Sequence, residues 1–328
     1  MCRRVVVSIL AVGVASIAAG WNAAGAQQPP GKAPQASRFT SDDLDTWMTK
    51  LSNWGRWGAD DQIGAARLMT PAKRKQAAAL VKEGVTVSMA RRLPASPGSA
   101  AVGRGHPFSN RAVFNDPAEA VMEVQNIFFH GGAFTHLDAL CHVSYKGKVY
   151  NGLVLKEIVT VEKGCTKMGV MAVADGIVSR AVLIDIARLK GVPYLEPGTH
   201  VSREDIEAWE KRAKVKVSSG DVLLLRSGRA PGGVSGFDGS VIPFLKERDV
   251  ALIGSDGVQD VGPYPPGVNL PIHRFAIVAL GAHLIDNMDL EAVADTAARL
   301  NRWEFLFTAS PIPVMNGTGS IINPIAVF

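Results

Sequence analysis

The chain has 328 residues, long enough for one large domain or two small ones. Its content of 47% hydrophobic and 7% aromatic residues is that of a packed globular protein. The formal net charge of +5 is mild, and the basic run Lys73-Arg74-Lys75 has no aromatic residues interleaved, so no nucleic-acid partner is expected.

Residues 1–26 read as a cleaved signal peptide, with a basic start at Arg3-Arg4, an apolar stretch from Val5 to Gly20 and a small-residue site at Ala24-Gly25-Ala26. The apolar run is short for a membrane span, and no other segment approaches 18 consecutive apolar residues. The expected product is exported, periplasmic or extracellular, and free of the membrane after cleavage; an uncleaved anchor is the rival reading. Loss of Arg3 and Arg4 leaves 33 basic and 30 acidic residues, a net +3. Residues 27–39, rich in Gln, Pro, Gly and Ala, are expected to be a disordered linker, and 40–328 one domain.

Ser41-Asp-Asp-Leu44 reads as the start of a short helix carrying Trp47 and Leu51, and Trp54-Gly-Arg-Trp57-Gly58 as a packed loop. Thr70 caps a helix with Pro71 in its first turn, which the sequence runs to Gly84. Val85 to Met89 alternates as a strand does. Residues 93–121 form a long excursion bearing His106, the kind of segment that serves as a lid or wall. Val121 to Phe129 reads as a strand, and Tyr145 to Lys148 as a turn. Apolar strands follow at 181–186, 222–225, 250–253, 283–285 and 305–308. Between them a capping box at Ser202 to Asp205 opens a helix over 203–213, and Asp289 caps another with Leu290, Val293, Ala297 and Leu300 on one face. Strands mixed with helices, without strict alternation or repeats, predict an α/β or mixed α+β fold.

The chemistry concentrates in His130-Gly-Gly-Ala-Phe-Thr-His136-Leu-Asp138-Ala-Leu-Cys-His142, which holds three of the seven histidines. On a strand, residues two apart share a face, so His136 and Asp138 project together, about 6.6 Å apart along the chain. The glycines after His130 break a strand, so a loop re-aims that residue. His142 stays on the same side whether the chain continues as strand or turns into helix. Imidazole with carboxylate suits Zn²⁺, Mn²⁺ or Fe²⁺. Downstream, Asp256 sits in a glycine-flanked turn and reads as structural, with Asp260 just beyond. His273 and Asp286 either complete a metal shell or are a surface histidine and a capping acid. His283 reads as core and His200 as surface. Cys141 and Cys165 are expected as free thiols, because a bridge at Cys141 would pull on the site, although an exported protein permits one. The glycine loop 316–320 is not followed by lysine, and neither a G-x-S-x-G elbow nor a G-x-G-x-x-G fingerprint occurs.

Thr135-His136-Leu-Asp138-Ala-Leu-Cys-His142 resembles the core of the metal-dependent cyclase family, which includes bacterial kynurenine formamidase and isatin hydrolase and whose motif reads H-x-G-T-H-x-D-x-P-x-H. The segments Asn53 to Gly64, Gly220 to Gly228, Ile253 to Asp256, His283 to Asn287 and Gly319 to Pro324 resemble others that recur in the group. The resemblance implies a swivelling β/β/α domain and assigns His136 and Asp138 as metal ligands and His142 as acid–base. Two positions depart from the pattern. Gly132 stands where the first ligand histidine is expected, with His130 two residues earlier, and Leu140 replaces the proline. Either the glycines loop out and His130 still ligates, or that ligand comes from elsewhere. His273 and Asp286 match the distal His and Glu. The implied activity is hydrolysis of an amide, formamide or cyclic amide by a water activated on Zn²⁺ or Mn²⁺, with a small-molecule substrate and a homo-oligomeric assembly. The alternatives are cyclisation or dehydration of a polyketide-like substrate, or metal or small-molecule binding without turnover.

Overall fold

The computed structural model describes residues 37–93, 108–114 and 119–328. The expected signal peptide, most of the expected linker and His106 lie outside the described residues. Phe39, at the linker's end, is instead buried against the fold, its ring tilted against Trp47 with centroids 5.9 Å apart.

The sheet that carries the site has nine strands: β1 Thr86–Ser88, β2 His136–Asp138, β3 Ile177–Asp185, β4 Val222–Arg226, β5 Leu252–Ser255, β6 His283–Asp286, β7 Glu304–Ala309, β8 Gly319–Ile321 and β9 Ile325–Val327. Their spatial order is β1-β9-β7-β3-β4-β5-β6-β2-β8. The four central strands β3, β4, β5 and β6 run parallel. Both flanks are antiparallel, β7 with β3 on one side and β2 with β6 on the other. Parallel strands are covered on both faces, and accordingly every residue of β4, β5 and β6 is buried. The crossovers between parallel strands contain the helices Arg203–Ala213, Ile242–Glu247 and the Pro271–Leu280 segment, as a mixed α/β fold requires.

Local signals explain several elements. Ser202 and Asp205 form the capping box that starts Arg203–Ala213, over the predicted span. Thr70 caps Pro71–Ala78, which ends earlier than predicted. The first helix, Ser41–Lys50, is capped by Thr40 with Asp43 rather than by Ser41. Asp289 accepts from the amide of Glu291 at the start of Glu291–Leu300. Among the described residues, the predicted strand after Val121 pairs only with Phe108–Phe114, in a two-stranded hairpin separate from the main sheet.

Helical segment Arg274–Leu280 is a π-helix, and its register leaves carbonyls for other partners. Segment 52–65 supplies them: Asn53 donates to Ala279 and Leu280, Trp54 Nε1 to Val278, and the Ala65 amide to Gly281. The crossing is close enough that a Cβ on Gly64 would lie 2.1 Å from the Gly281 carbonyl oxygen. The Asn53 to Gly64 motif is thus the cradle of the Pro271–Leu280 segment, which carries His273.

No helix among the described residues is long and apolar enough to cross a membrane.

Candidate metal centre

The register of β2 against β6 sets the site. Asp286 pairs with His136, and Leu284 with Asp138, so His136, Asp138 and Asp286 share one face. All three are buried. Their ligand atoms lie within 4.8 Å of one another.

Asp138 is the hub. One of its oxygens lies 3.0 Å from His130 Nδ1, 3.5 Å from His136 Nε2 and 3.8 Å from His142 Nε2. Its other oxygen lies 3.6 Å from His273 Nε2. Burial, the largest influence, pushes the Asp138 carboxyl up, but the imidazoles of His142, His130, His136 and His273 outweigh it and hold the group below the usual carboxylate range. Asp138 is therefore an ionised carboxylate surrounded by four histidines.

Each imidazole is aimed from its far side. His136 Nδ1 bonds the Phe134 carbonyl at 2.8 Å, which leaves Nε2 with a free lone pair toward Asp138. His273 Nδ1 contacts Asp260 Oδ2 at 2.5 Å, and the same carboxylate accepts the backbone amides of Ile272 and His273. His273 Nε2 then lies 3.2 Å from Asp286, whose other oxygen accepts from Gln259. Burial lowers the His273 pKa, but the Asp286 and Asp260 carboxylates more than reverse this and raise it well above 6.5. His130 Nε2 bonds Thr318 Oγ1 at 3.0 Å, and its ring stacks on that of His142 with centroids 3.8 Å apart. Gly319 makes room for this ring, since a Cβ there would meet His130 Cε1 at 2.8 Å. Burial pushes the His142 imidazole down to about 4, opposed by Asp138 and reinforced by the neighbouring histidines, so it is neutral at pH 7.

The fit to an ion rests on unpaired atoms. His130 Nδ1 and Asp138 Oδ1 are buried and face each other, yet neither makes a hydrogen bond. Two lone-pair atoms held this way are what ligands of one cation look like. Atoms about 2.0–2.2 Å from a shared ion lie about 3–3.5 Å apart, and the imidazole nitrogens lie 3.0, 3.5, 3.6 and 3.8 Å from the Asp138 oxygens. His130, Asp138 and His142 form one such group, and His136, Asp138 and Asp286 a second that shares the same carboxylate. The donor set of imidazole and carboxylate suits a divalent transition metal.

The sequence-predicted residues therefore come together, His130 included, because the Gly131-Gly132 turn swings it back toward Asp138. His273 is buried in the centre and not at the surface. Asp256 is structural: its carboxylate accepts from the Ser227 amide and hydroxyl and the Gly228 amide. His283 is a core histidine, pushed down to about 4 by burial. Two expectations are overturned. His200 is buried and its Nδ1 bonds Asp238 at 2.9 Å, because the chain folds the Asp238 loop over it. Cys141 and Cys165 form a disulfide and are not free thiols, because the turn after β2 packs on the Gly164–Cys165 strand. Gln259 and Thr318 support the site without any local pattern in the sequence marking them, whereas Asp260 and Asn287 stand beside or within segments that the sequence singled out without giving them a role. Only the proximity of Asp260 to Pro271, a helix-starting residue, hints at its use as a remote cap.

Fold and centre together define a mixed α/β protein with a His/Asp cluster suited to a divalent ion. Residues 64–259 match the family model named Cyclase, more than half of the chain, and the protein belongs to the Cyclase family. Its structure is similar to a crystal structure described as a novel cyclase, at 29% identity and a TM-score of 0.77, covering 86% of this chain and 99% of that one. It is similar in fold to an isatin hydrolase bound to the product analogue thioisatinate, at 16% identity and a TM-score of 0.51, covering 77% of this chain and 95% of that one. No curated protein matches the chain by sequence.

Proposed function

We propose that this protein is a metal-dependent hydrolase that cleaves the C–N bond of an amide, formamide or cyclic amide. The observation that carries the reading is the buried Asp138 carboxylate ringed by four imidazoles, with His130 Nδ1 and Asp138 Oδ1 unpaired. Membership of the Cyclase family supports it, and the isatin hydrolase of similar fold makes a cyclic amide the first substrate to try.

His130, His136 and Asp138 would hold the ion, Zn²⁺ or Mn²⁺, with Asp286 grouped beside His136 and Asp138 and His273 held behind it between Asp286 and Asp260. When bound, such an ion supplies Lewis acidity and makes water nucleophilic near neutral pH. The chain's own contribution is orientation and proton transfer. His130 and His142 have side chains 17% and 22% exposed, whereas His136 and Asp138 are only 2% exposed. Substrate therefore approaches from the His130 and His142 side. His142 is neutral at pH 7, and among the described residues no carbonyl or carboxylate ties its Nδ1, so it can take a proton from the attacking water and pass it to the leaving nitrogen. The buried disulfide is consistent with export to an oxidising compartment, which we propose together with a homo-oligomeric state.

The test is hydrolysis of isatin and N-formylkynurenine before and after metal removal, with elemental analysis of the purified protein. Activity should vanish with the metal and return on re-addition. His142→Ala should retain metal and lose about 10²–10⁴-fold in turnover. Unchanged hydrolysis after complete metal removal would refute the mechanism.

A further inference from the structure

The His130 turn is where this chain leaves the family pattern, and it has little of its own to hold it. Gly131 and Gly132 bring no side chains, and Gly131 has φ of 124°, a conformation closed to other residues. Some other group must fix the turn if the His130 ring is to stay in register with Asp138.

We infer that Asn287 is a positioning residue whose side-chain amide clamps this turn and so fixes His130 against Asp138; the inference rests on the metal-site reading above. Asn287 Nδ2 donates to the Gly131 carbonyl at 2.7 Å and to the Phe134 carbonyl at 3.3 Å. An amide nitrogen has two donors, and both are used, one at each end of the turn. The Asn287 carbonyl accepts from Thr135 Oγ1 at 2.7 Å, and its own amide bonds Gly257 at 2.8 Å. The residue is 1% exposed, so these bonds have no competition from water.

Its backbone explains why asparagine stands there. Asn287 directly follows Asp286 at the end of β6 and has φ of 57°. Asparagine tolerates this left-handed conformation better than any other residue that also carries two side-chain N–H donors. The chain thus turns off the strand as soon as Asp286 has been placed, and the amide reaches across to the turn. One residue ties a site acid on β6 to a histidine that enters from outside the sheet. Arg91 adds a weaker tie, with Nη1 3.5 Å from the Gly132 carbonyl and Nη2 bonded to the Asp256 carbonyl at 2.6 Å.

Partners that orient a metal ligand contribute about 10–100-fold to metal affinity. Asn287→Gly removes the clamp while keeping a residue that accepts positive φ. The experiment measures Zn²⁺ affinity of the full chain by chelator competition in four proteins: wild type, Asn287→Gly, His130→Ala and the double variant. Metal-free thermal midpoints are recorded alongside. Asn287→Gly should weaken Zn²⁺ by about 10-fold or more, and His130→Ala by at least as much. The double variant should bind within about 3-fold of His130→Ala alone, because the clamp has no work left once the ring is gone.

Zn²⁺ affinity of Asn287→Gly within about 3-fold of wild type, or fully additive losses in the double variant, would overturn the inference. An unchanged affinity in His130→Ala overturns the metal-site reading itself, and the clamp with it. Should Asn287→Gly not fold, Gly131→Ala strains the same turn with Asn287 intact. The same cycle with His130→Ala then decides.

Discussion

Replacing both Cys141 and Cys165 with alanine should lower the stability of the oxidised protein by an amount that the structure sets. The two residues are 24 apart in sequence. Closing a loop of that length in the unfolded chain removes entropy equivalent to about 3.5 kcal/mol at 25 °C. Both side chains are buried, so no exposed surface offsets the loss. For a domain of this size each kcal/mol moves the midpoint by about 2–4 °C, giving a fall of roughly 7–14 °C. Scanning calorimetry of the two proteins at one scan rate measures it. Mass spectrometry after alkylation without reductant checks the bond directly. Two alkylated cysteines in the native protein, or a midpoint change under about 2 °C, would refute the reasoning. The bridge also bears on the site, since Cys141 immediately precedes His142, whose amide bonds the Ala139 carbonyl at 2.9 Å. If His142 has the role proposed above, turnover should fall more steeply with temperature in the variant than in wild type, because the segment carrying it loses its tether to Gly164–Cys165.

Gly64→Ala should destabilise the fold by about 2–5 kcal/mol, read as a shifted urea midpoint, because it adds left-handed strain to a backbone collision. Gly64 has φ of 64°, and its Cβ would fall 2.1 Å from the Gly281 carbonyl oxygen. The acid limb of stability should depend on Asp238. Burial raises its pKa, but bonds from His200 and from the Ser240 and Arg38 amides outweigh this, so the folded value lies below the ordinary 3.8. The native state then binds fewer protons than the unfolded chain. Its contribution is full above about pH 4 and is lost as pH falls through the folded value. Urea midpoints of Asp238→Asn should be lower than wild type at pH 6 and should converge with it below pH 4; parallel curves would exclude this role.

The parts of the molecule that obey a local period were legible in the sequence. The capping box at Ser202 and Asp205 gave the helix its start, and the apolar runs at 222–225 and 283–285 became fully buried strands because parallel strands are covered on both faces. His136 and Asp138 share a face because they lie two apart on a strand, and this too needs no tertiary information. What local pattern could not carry was everything closed by long-range contact. Asp260 and His273 are 13 residues apart, Thr318 meets His130 across 188, and Cys141 bridges to Cys165. His200 has the flanks of a surface residue and becomes buried only because Asp238 arrives from 38 residues away. The free-thiol expectation failed for a related reason. It assumed that a bridge would distort the site, whereas the bridge forms at the residue before His142 and His130, Asp138 and His142 still converge.

The same division explains how the site tolerates its departure from the family motif. A metal centre needs ligand atoms in place, not a fixed spacing along the chain. His136 and Asp138 are held by strand register, which a one-residue slip would destroy, so their spacing is rigid. His130 is held by a turn, and a turn can absorb two residues if its carbonyls find donors. They find them in Asn287 and Arg91, and the ring finds Thr318 and the face of His142. The residues on the strand are therefore the ones that sequence identifies, and the histidine on the turn is the one whose position depends on Asn287 and Thr318, each more than 150 places away.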